Sequence, residues 1–145
     1  MADVTITATA VIPGSHARIE NDQVAGQASL TAGMTVYKDT TDSDRIKKAA
    51  AATQAEARAR GFLLNNCGTG QRCSVQWGGR LTMDGLTKGT AYYVSDDAHV
   101  SGNDGGLCPE ADLGAGDYRC FMGIAESTTS LVMPESGPLF TDATA

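Results

Sequence analysis

Hydrophobic and polar positions alternate over short distances along most of this chain, and the alternation is broken repeatedly by glycine, asparagine, aspartate and threonine. Period-two runs of β-branched and aromatic residues bounded by turn formers predict short strands. Val4–Ile12 reads as a strand, or as an extended arm that becomes one against a partner, and stops at Pro13-Gly14. Further strands are expected at His16–Ile19, Gln23–Ala25, Met34–Lys38, Phe62–Leu64, Cys73–Trp77, Gly79–Met83, Ala91–Ser95, Tyr118–Ala125 and Ser130–Met133. The segment Asp39–Asp44 reads as a turn. One stretch departs from this rhythm. Ala49–Arg60 is rich in helix formers and is followed by Gly61, a C-terminal cap, which predicts a helix of about two or three turns. Residues 96–117 read as a long loop and residues 134–145 as a loose or partner-dependent tail.

An internal echo organises these pieces. Leu30-Thr31-Ala32-Gly33-Met34-Thr35-Val36-Tyr37 aligns with Leu86-Thr87-Lys88-Gly89-Thr90-Ala91-Tyr92-Tyr93. Downstream, Gly61-Phe62-Leu63 aligns with Gly123-Ile124-Ala125, each followed by a polar turn and a second apolar strand. Two such units of about 50 residues are each too small to bury a core alone and are expected to pack as one domain. The predicted fold is mainly β: a small barrel or sandwich built from two similar modules, with one short helix and an extended N-terminal arm. Residues 1–13 form the arm, 14–134 the domain (modules 28–83 and 84–134), and 135–145 the tail.

Composition narrows the function. With 145 residues, 11 Lys and Arg against 17 Asp and Glu, the formal net charge is −6. A nucleic-acid binder gains affinity by neutralising phosphates with basic side chains, so nucleic-acid binding is disfavoured. The basic groups Arg45 to Lys48 and Arg58 to Arg60 read as solvated charge. No segment reaches the ~20 apolar residues of a helical membrane span, and Met1–Thr5 lacks the features of a secretory signal, so the chain is read as made and folded in a cytoplasm.

Candidate chemistry is sparse. His16 and His99 lie in polar, turn-like settings and read as surface residues. Cys67, Cys73, Cys108 and Cys120 lack the two-to-four-residue spacing of a zinc knuckle and are candidate disulfide cysteines. Three pairings are open, the local pairs 67–73 and 108–120 being preferred because each closes a short turn-containing loop. Asp39, Asp42 and Asp44, like Asp96 and Asp97, lack the glycine and terminal glutamate of a calcium loop. Gly68-Thr69-Gly70 lacks the Lys-Ser/Thr of a phosphate loop. No cofactor, metal or catalytic set is expected. Tyr92 and Tyr93 point to opposite faces of their strand, one toward the core and one toward an interface. Trp77 reads as a core or subunit-contact residue, with a sugar-stacking platform, as in a lectin or small hydrolase, as the sharper alternative.

Val36-Tyr37-Lys38-Asp39, Ala59-Arg60-Gly61-Phe62-Leu63-Leu64-Asn65, Gly70-Gln71 with Cys73-Ser74-Val75, Gly85 to Ser95, Gly116-Asp117-Tyr118, Met122 to Ser127 and Leu131-Val132-Met133 together resemble the head decoration (cement) proteins of tailed bacteriophages. The resemblance spans about residues 28–134 and lies in rhythm more than in fixed residues. It implies a non-enzymatic structural virion protein on the outer capsid surface, a homotrimer that contacts the major capsid protein and reinforces its subunit contacts. Related modules in tail, baseplate or fibre components give the alternative, a part in host-surface recognition. The expected partner-contact residues are Val4, Ile6, Val11 and Ile12 of the arm, with Tyr92 and Trp77. Deleting residues 1–13 is expected to leave a folded protein that no longer binds capsids.

Overall fold

The computed structural model describes residues 6, 8–95, 106–114 and 116–141. Two antiparallel sheets account for nearly all of the regular structure, and the order in which the chain visits them follows from the internal echo. The first sheet contains β2 (Arg18–Val24), β3 (Thr35–Asp39), β4 (Arg45–Lys48), β5 (Gly61–Leu63) and β6 (Arg72–Gly78), in the order β2-β6-β5-β3-β4. The second runs β1-β7-β11-β10-β8-β9, from β1 (Ile12–Pro13), β7 (Arg80–Thr82), β8 (Ala91–Val94), β9 (Leu107–Pro109), β10 (Arg119–Ala125) and β11 (Ser130–Val132). A last strand, β12 (Leu139–Thr141), pairs with β10.

Both sheets repeat one strand order, and their registers superpose residue by residue. Thr35 pairs with Phe62 and Val36 with Gly61; in the second sheet Ala91 pairs with Ile124 and Tyr92 with Gly123. Phe62 pairs onward with Gln76 and Leu63 with Val75, as Ile124 does with Val132 and Ala125 with Leu131. The two Leu-Thr-x-Gly turns are hydrogen-bonded alike. Gly33 N–H donates to the Leu63 carbonyl at 2.8 Å and Gly89 N–H to that of Ala125 at 2.7 Å. Both glycines sit at positive φ, +93° and +84°, where a side chain would strain the turn. Gly61 and Gly123 also correspond: a Cβ at either would meet a backbone carbonyl of the next strand, Gln76 or Val132. The structural repeats are therefore residues 18–78 and 80–132. This moves the expected boundary at 83/84 back to Gly79, where the chain crosses between sheets at φ +81° against the His16 backbone.

The two modules close differently. Ala25, just past β2, bridges to Ile46 on β4, and Gly26 N–H donates to the Ile46 carbonyl at 2.8 Å. The first sheet thereby curls until its outermost strands meet. Leu30, Val36, Ile46, Leu63, Cys73 and Val75 fill its interior. Because side chains alternate along a strand, the intervening residues Tyr37 and Phe62 point the other way, into a second core with Leu81, Met122, Ala125 and Leu131. The second sheet thus closes over the outer face of the first. Gln76 joins the two sheets, its Nε2 donating to the Arg80 carbonyl at 2.8 Å and to that of Gly78 at 3.0 Å.

Several expectations are corrected. The helix is a single turn, α1 (Gln54–Ala57), capped by the Thr53 side chain, which accepts from Glu56 N–H. Ala49, Ala50 and Ala51 are buried outside it, and Ala49 and Ala51 donate their N–H groups to Thr35 and Ser95. Tertiary partners override helix propensity here. His16–Ile19 and Gln23–Ala25 merge into the one irregular strand β2, whose pairing with β6 shifts register twice. Within the expected 96–117 loop, residues 107–109 form β9, while 96–105 and 115 lie outside the described residues. The expected tail from 135 is in part a strand: Phe140 of β12 stacks on Tyr118 at 6.0 Å and lies 4.1 Å from the Arg58 guanidinium.

The β3–β4 edge is tied by charge. Lys47 Nζ donates to Asp39 Oδ2 at 2.7 Å and lies 3.2 Å from Asp42 Oδ2. The Lys47 hydrogen bond, helped by Thr41, draws the Asp39 carboxyl from an ordinary 3.8 down to about 2. A carboxylate with a lowered folded pKa stabilises above its unfolded value and loses that contribution as pH falls through the folded one. Thermal melts between pH 5 and pH 2 are expected to show stability falling below about pH 4, with a shallower fall in Asp39→Asn.

Candidate interaction face

Ile12, Ile19, Ile124 and Leu139 are the large hydrophobics left exposed among the described residues. Three of them share one surface, the outer face of the second sheet. Ile124 pairs with Val132, Leu139 with Phe121, and Ile12 with Thr82 at the sheet's far edge. The inward alternates Cys120, Met122, Leu131 and Leu81 are fully buried, which fixes the direction of the others. An apolar groove of about 310 Å³ runs along this face between Phe121, Ile124, Val132, Met133 and Pro134, with Glu126 at its rim. Tyr93 lies beside Phe121, their ring centroids 5.6 Å apart.

The repeat shows why the face is unusual. Ile124, Val132 and Tyr93 occupy the places that Phe62, Gln76 and Tyr37 hold in the first module. There the three are buried, Phe62 and Gln76 completely, beneath the second sheet. In the second module Tyr93 is partly buried against Ala51, Cys108 and Leu113 and Val132 is partly exposed, while Ile124, at 47% exposure, has no comparable cover among the described residues. Contiguous apolar surface of this kind marks interaction sites. Its rim is polar and ordered. Arg80 Nε lies 2.8 Å from Glu126 Oε2, and Ser130 donates to the same oxygen at 2.8 Å. The Ser130 hydrogen bond and then Arg80 hold the Glu126 carboxyl below its ordinary range.

The expected contact residues fare unequally. Val4 lies outside the described residues. Val11 is buried, and Ile6 packs against the same core beside Gly33, so this segment is folded onto its own domain. Instead of an extended strand, Ala8–Ala10 form a 3₁₀ turn and only Ile12–Pro13 pair, with Pro13 at an edge where its missing donor costs nothing. Deleting residues 1–13 is therefore expected to strip apolar cover from the core and cost about 2–4 kcal/mol, read as a lower urea midpoint. Of the expected arm contacts among the described residues, Ile12 is the one left exposed. Tyr92 is the inward tyrosine, 2% exposed, its hydroxyl accepting from Thr87 N–H at 2.8 Å, so the outward partner is Tyr93. Trp77 is half-buried, with the guanidinium carbons of Arg18 and Arg60 lying 5.3 and 5.8 Å from its ring. Arg60 also pairs with Glu20, which Lys38 approaches at 3.2 Å. Partial burial raises the Glu20 carboxyl, but Arg60 and Lys38 together outweigh it and hold it low.

All four cysteines are buried, and none is joined in a disulfide. Cys67 Sγ lies 2.9 Å from Cys73 Sγ inside the curled first sheet. The other expected pair is not adjacent. Cys108 faces Tyr93 across β9 and β8, Tyr93 faces Phe121 across β8 and β10, and Cys120 points to the opposite side from Phe121. Two strand spacings, about 9–10 Å, and opposed faces exceed what a disulfide spans. Burial pushes the Cys120 thiol up to about 11, against a backbone hydrogen bond from Ala59 and the charge of Arg58. His16 is exposed at φ +59° in a recess with Arg18, Arg80 and Glu135, and His99 lies outside the described residues. Among the described residues no three His, Cys, Asp or Glu side chains gather as a metal set.

No protein-family profile matches this chain, and no curated protein aligns with it significantly.

Proposed function

We propose that this protein is a structural component of a tailed-phage virion that binds the outer capsid surface and reinforces contacts between major capsid protein subunits. The observation that carries the reading is the apolar face of the second sheet, exposed among the described residues around Ile124 and Leu139. Its equivalent in the first module is sealed by the chain itself, so the fold already contains the pattern of a sheet face completed by another layer. In the second module that layer is the capsid protein. A rigid β face closed by ladders on both sides meets a partner with little ordering cost, because its side chains are held before binding. The paired charges Arg80 and Glu126 at the rim set orientation without leaving a buried charge unpaired.

Further support comes from the resemblance to decoration proteins, which lies largely in the segments that form the duplicated β3–β5 and β8–β10 pairs. The homotrimer and the acidic surface belong to the same reading: an excess of carboxylates keeps the free protein soluble and off nucleic acid before it reaches the shell. The test is co-sedimentation of the purified chain with expanded, undecorated capsids of its phage. Saturable binding to the shell supports the reading. Binding to isolated tails or host envelopes, with none to capsids, replaces it with the recognition role.

A further inference from the structure

We propose that Cys67 and Cys73 form a dithiol site that small disulfides of the glutathione class convert to an internal disulfide, with Cys67 reacting first and Cys73 resolving. The chemistry is independent of where the protein acts.

Three features of the fold carry it. The first is proximity: the sulfurs stand 2.9 Å apart, and forming the bond needs them to close to ~2.05 Å. The second is a fixed frame. Cys67 exchanges both backbone hydrogen bonds with Leu30, at 2.9 and 3.0 Å, and Cys73 is laddered to Gln23 of β2. The turn between them is closed by Gln71 N–H donating to the Gly68 carbonyl at 2.9 Å, while Gln71 Oε1 accepts from Gly68 N–H at 2.7 Å. The thiols are therefore held together by the fold and do not meet by chance. The third is asymmetric access. Cys67, 6% exposed, lines an open recess of about 390 Å³ with Ser29, Thr31, Asn66, Gly68 and Gln71, whereas Cys73 is 1% exposed deeper in the same apolar cluster. Burial, and then Cys67, pushes the Cys73 thiol up to about 12, which keeps it protonated.

The exchange balances as follows. The Cys67 thiolate attacks one sulfur of the incoming disulfide RSSR, giving a Cys67–S–SR mixed disulfide and releasing RS⁻. The Cys73 thiol surrenders its proton, its sulfur attacks the Cys67 sulfur, and the second R group leaves as RSH. In total RSSR takes up two hydrogens as 2 RSH, and the protein gains one Cys67–Cys73 bond. Cys108 and Cys120 are bystanders on opposite faces of the other sheet.

The full-length protein is incubated with oxidised glutathione at mildly alkaline pH, then its intact mass, its thiol count after unfolding and its unreduced peptide map are read. Titratable thiols are expected to fall from four to two, with a mass loss of two hydrogens and a 67–73 cross-linked peptide. In Cys73→Ser the reaction is expected to stop at one glutathione on Cys67, and in Cys67→Ser neither product forms. Four thiols persisting under conditions that oxidise the urea-unfolded chain would overturn the site, as would a bond mapping to any other pair. Glutathione found on Cys73 while Cys67 stays free would overturn the order of attack. The wild-type readings stand even where a variant fails to fold.

Discussion

Phe62→Ala is expected to lower stability by about 3–5 kcal/mol, a large share of the ~5–15 kcal/mol that holds a domain together. Phe62 is fully buried at the junction of the two sheets, packed with Tyr37 of its own sheet and with the core of the other. Its neighbours are laddered strands that cannot collapse into the space, so the lost transfer energy and the cavity add. At about 3 °C per kcal/mol for a chain of this length, the melting temperature should fall by roughly 10–15 °C. The same truncation at the repeat-equivalent position, Ile124→Ala, should move it by only a degree or two, because Ile124 is half exposed. Equal losses at the two positions would mean that both module faces are covered in the isolated chain.

Ile124→Lys carries the second large effect, this time on association. A lysine in the middle of the groove keeps its stem on the apolar surface and its ammonium in water, so the free protein should melt within about 1 kcal/mol of wild type. Covered by a partner, the same ammonium would be desolvated with Glu126 already engaged by Arg80 and Ser130. Central interface positions of this kind are worth 2 kcal/mol or more, so capsid binding should weaken at least ~30-fold. Ile19→Lys places the same charge on β2 of the other sheet and serves as the control. Its binding curve should superimpose on wild type. A loss shared by both variants would reassign the contact to general surface charge.

The duplicated architecture was legible because its two Leu-Thr-x-Gly turns need a glycine at positive φ and a strand directly after it, and both demands are written locally. Gly61 and Gly123 were legible as a matched pair for the same reason: each lies against a carbonyl of the adjoining strand and tolerates no side chain. What could not be read was whatever depends on distant partners. Ala49–Arg60 has helical composition, yet Ala49 and Ala51 donate to Thr35 and Ser95, residues far off in sequence. Arg45–Lys48 looks like a charge run because only Ile46 of its four residues is apolar and buried. Leu139–Thr141 follows two prolines and a glycine and reads as a tail; Phe140 becomes a strand residue only because Tyr118 and Arg58 wait for it.

The interaction face was half visible. Aligning Gly61-Phe62-Leu63 with Gly123-Ile124-Ala125 equates Phe62 with Ile124, but which of the two a second layer covers is decided by how the sheets stack. Tyr92 and Tyr93 pose the same problem on one strand. A period of two says that they diverge without saying which goes inward, and the answer lies in the Tyr92 hydroxyl closing the Thr87 turn. Likewise the cysteine spacing left three pairings open. Strand order alone separates 67–73, brought together inside a curled sheet, from 108–120, set on opposite faces two strands apart.

The most direct measurement is a cryo-electron microscopy map of the intact phage particle at a resolution that traces β-strands. The expected result is this fold on the outside of the head, with β10, β11 and Ile124 pressed against the major capsid protein. Density for the chain elsewhere in the particle, or on the head with that face turned to solvent, would contradict it.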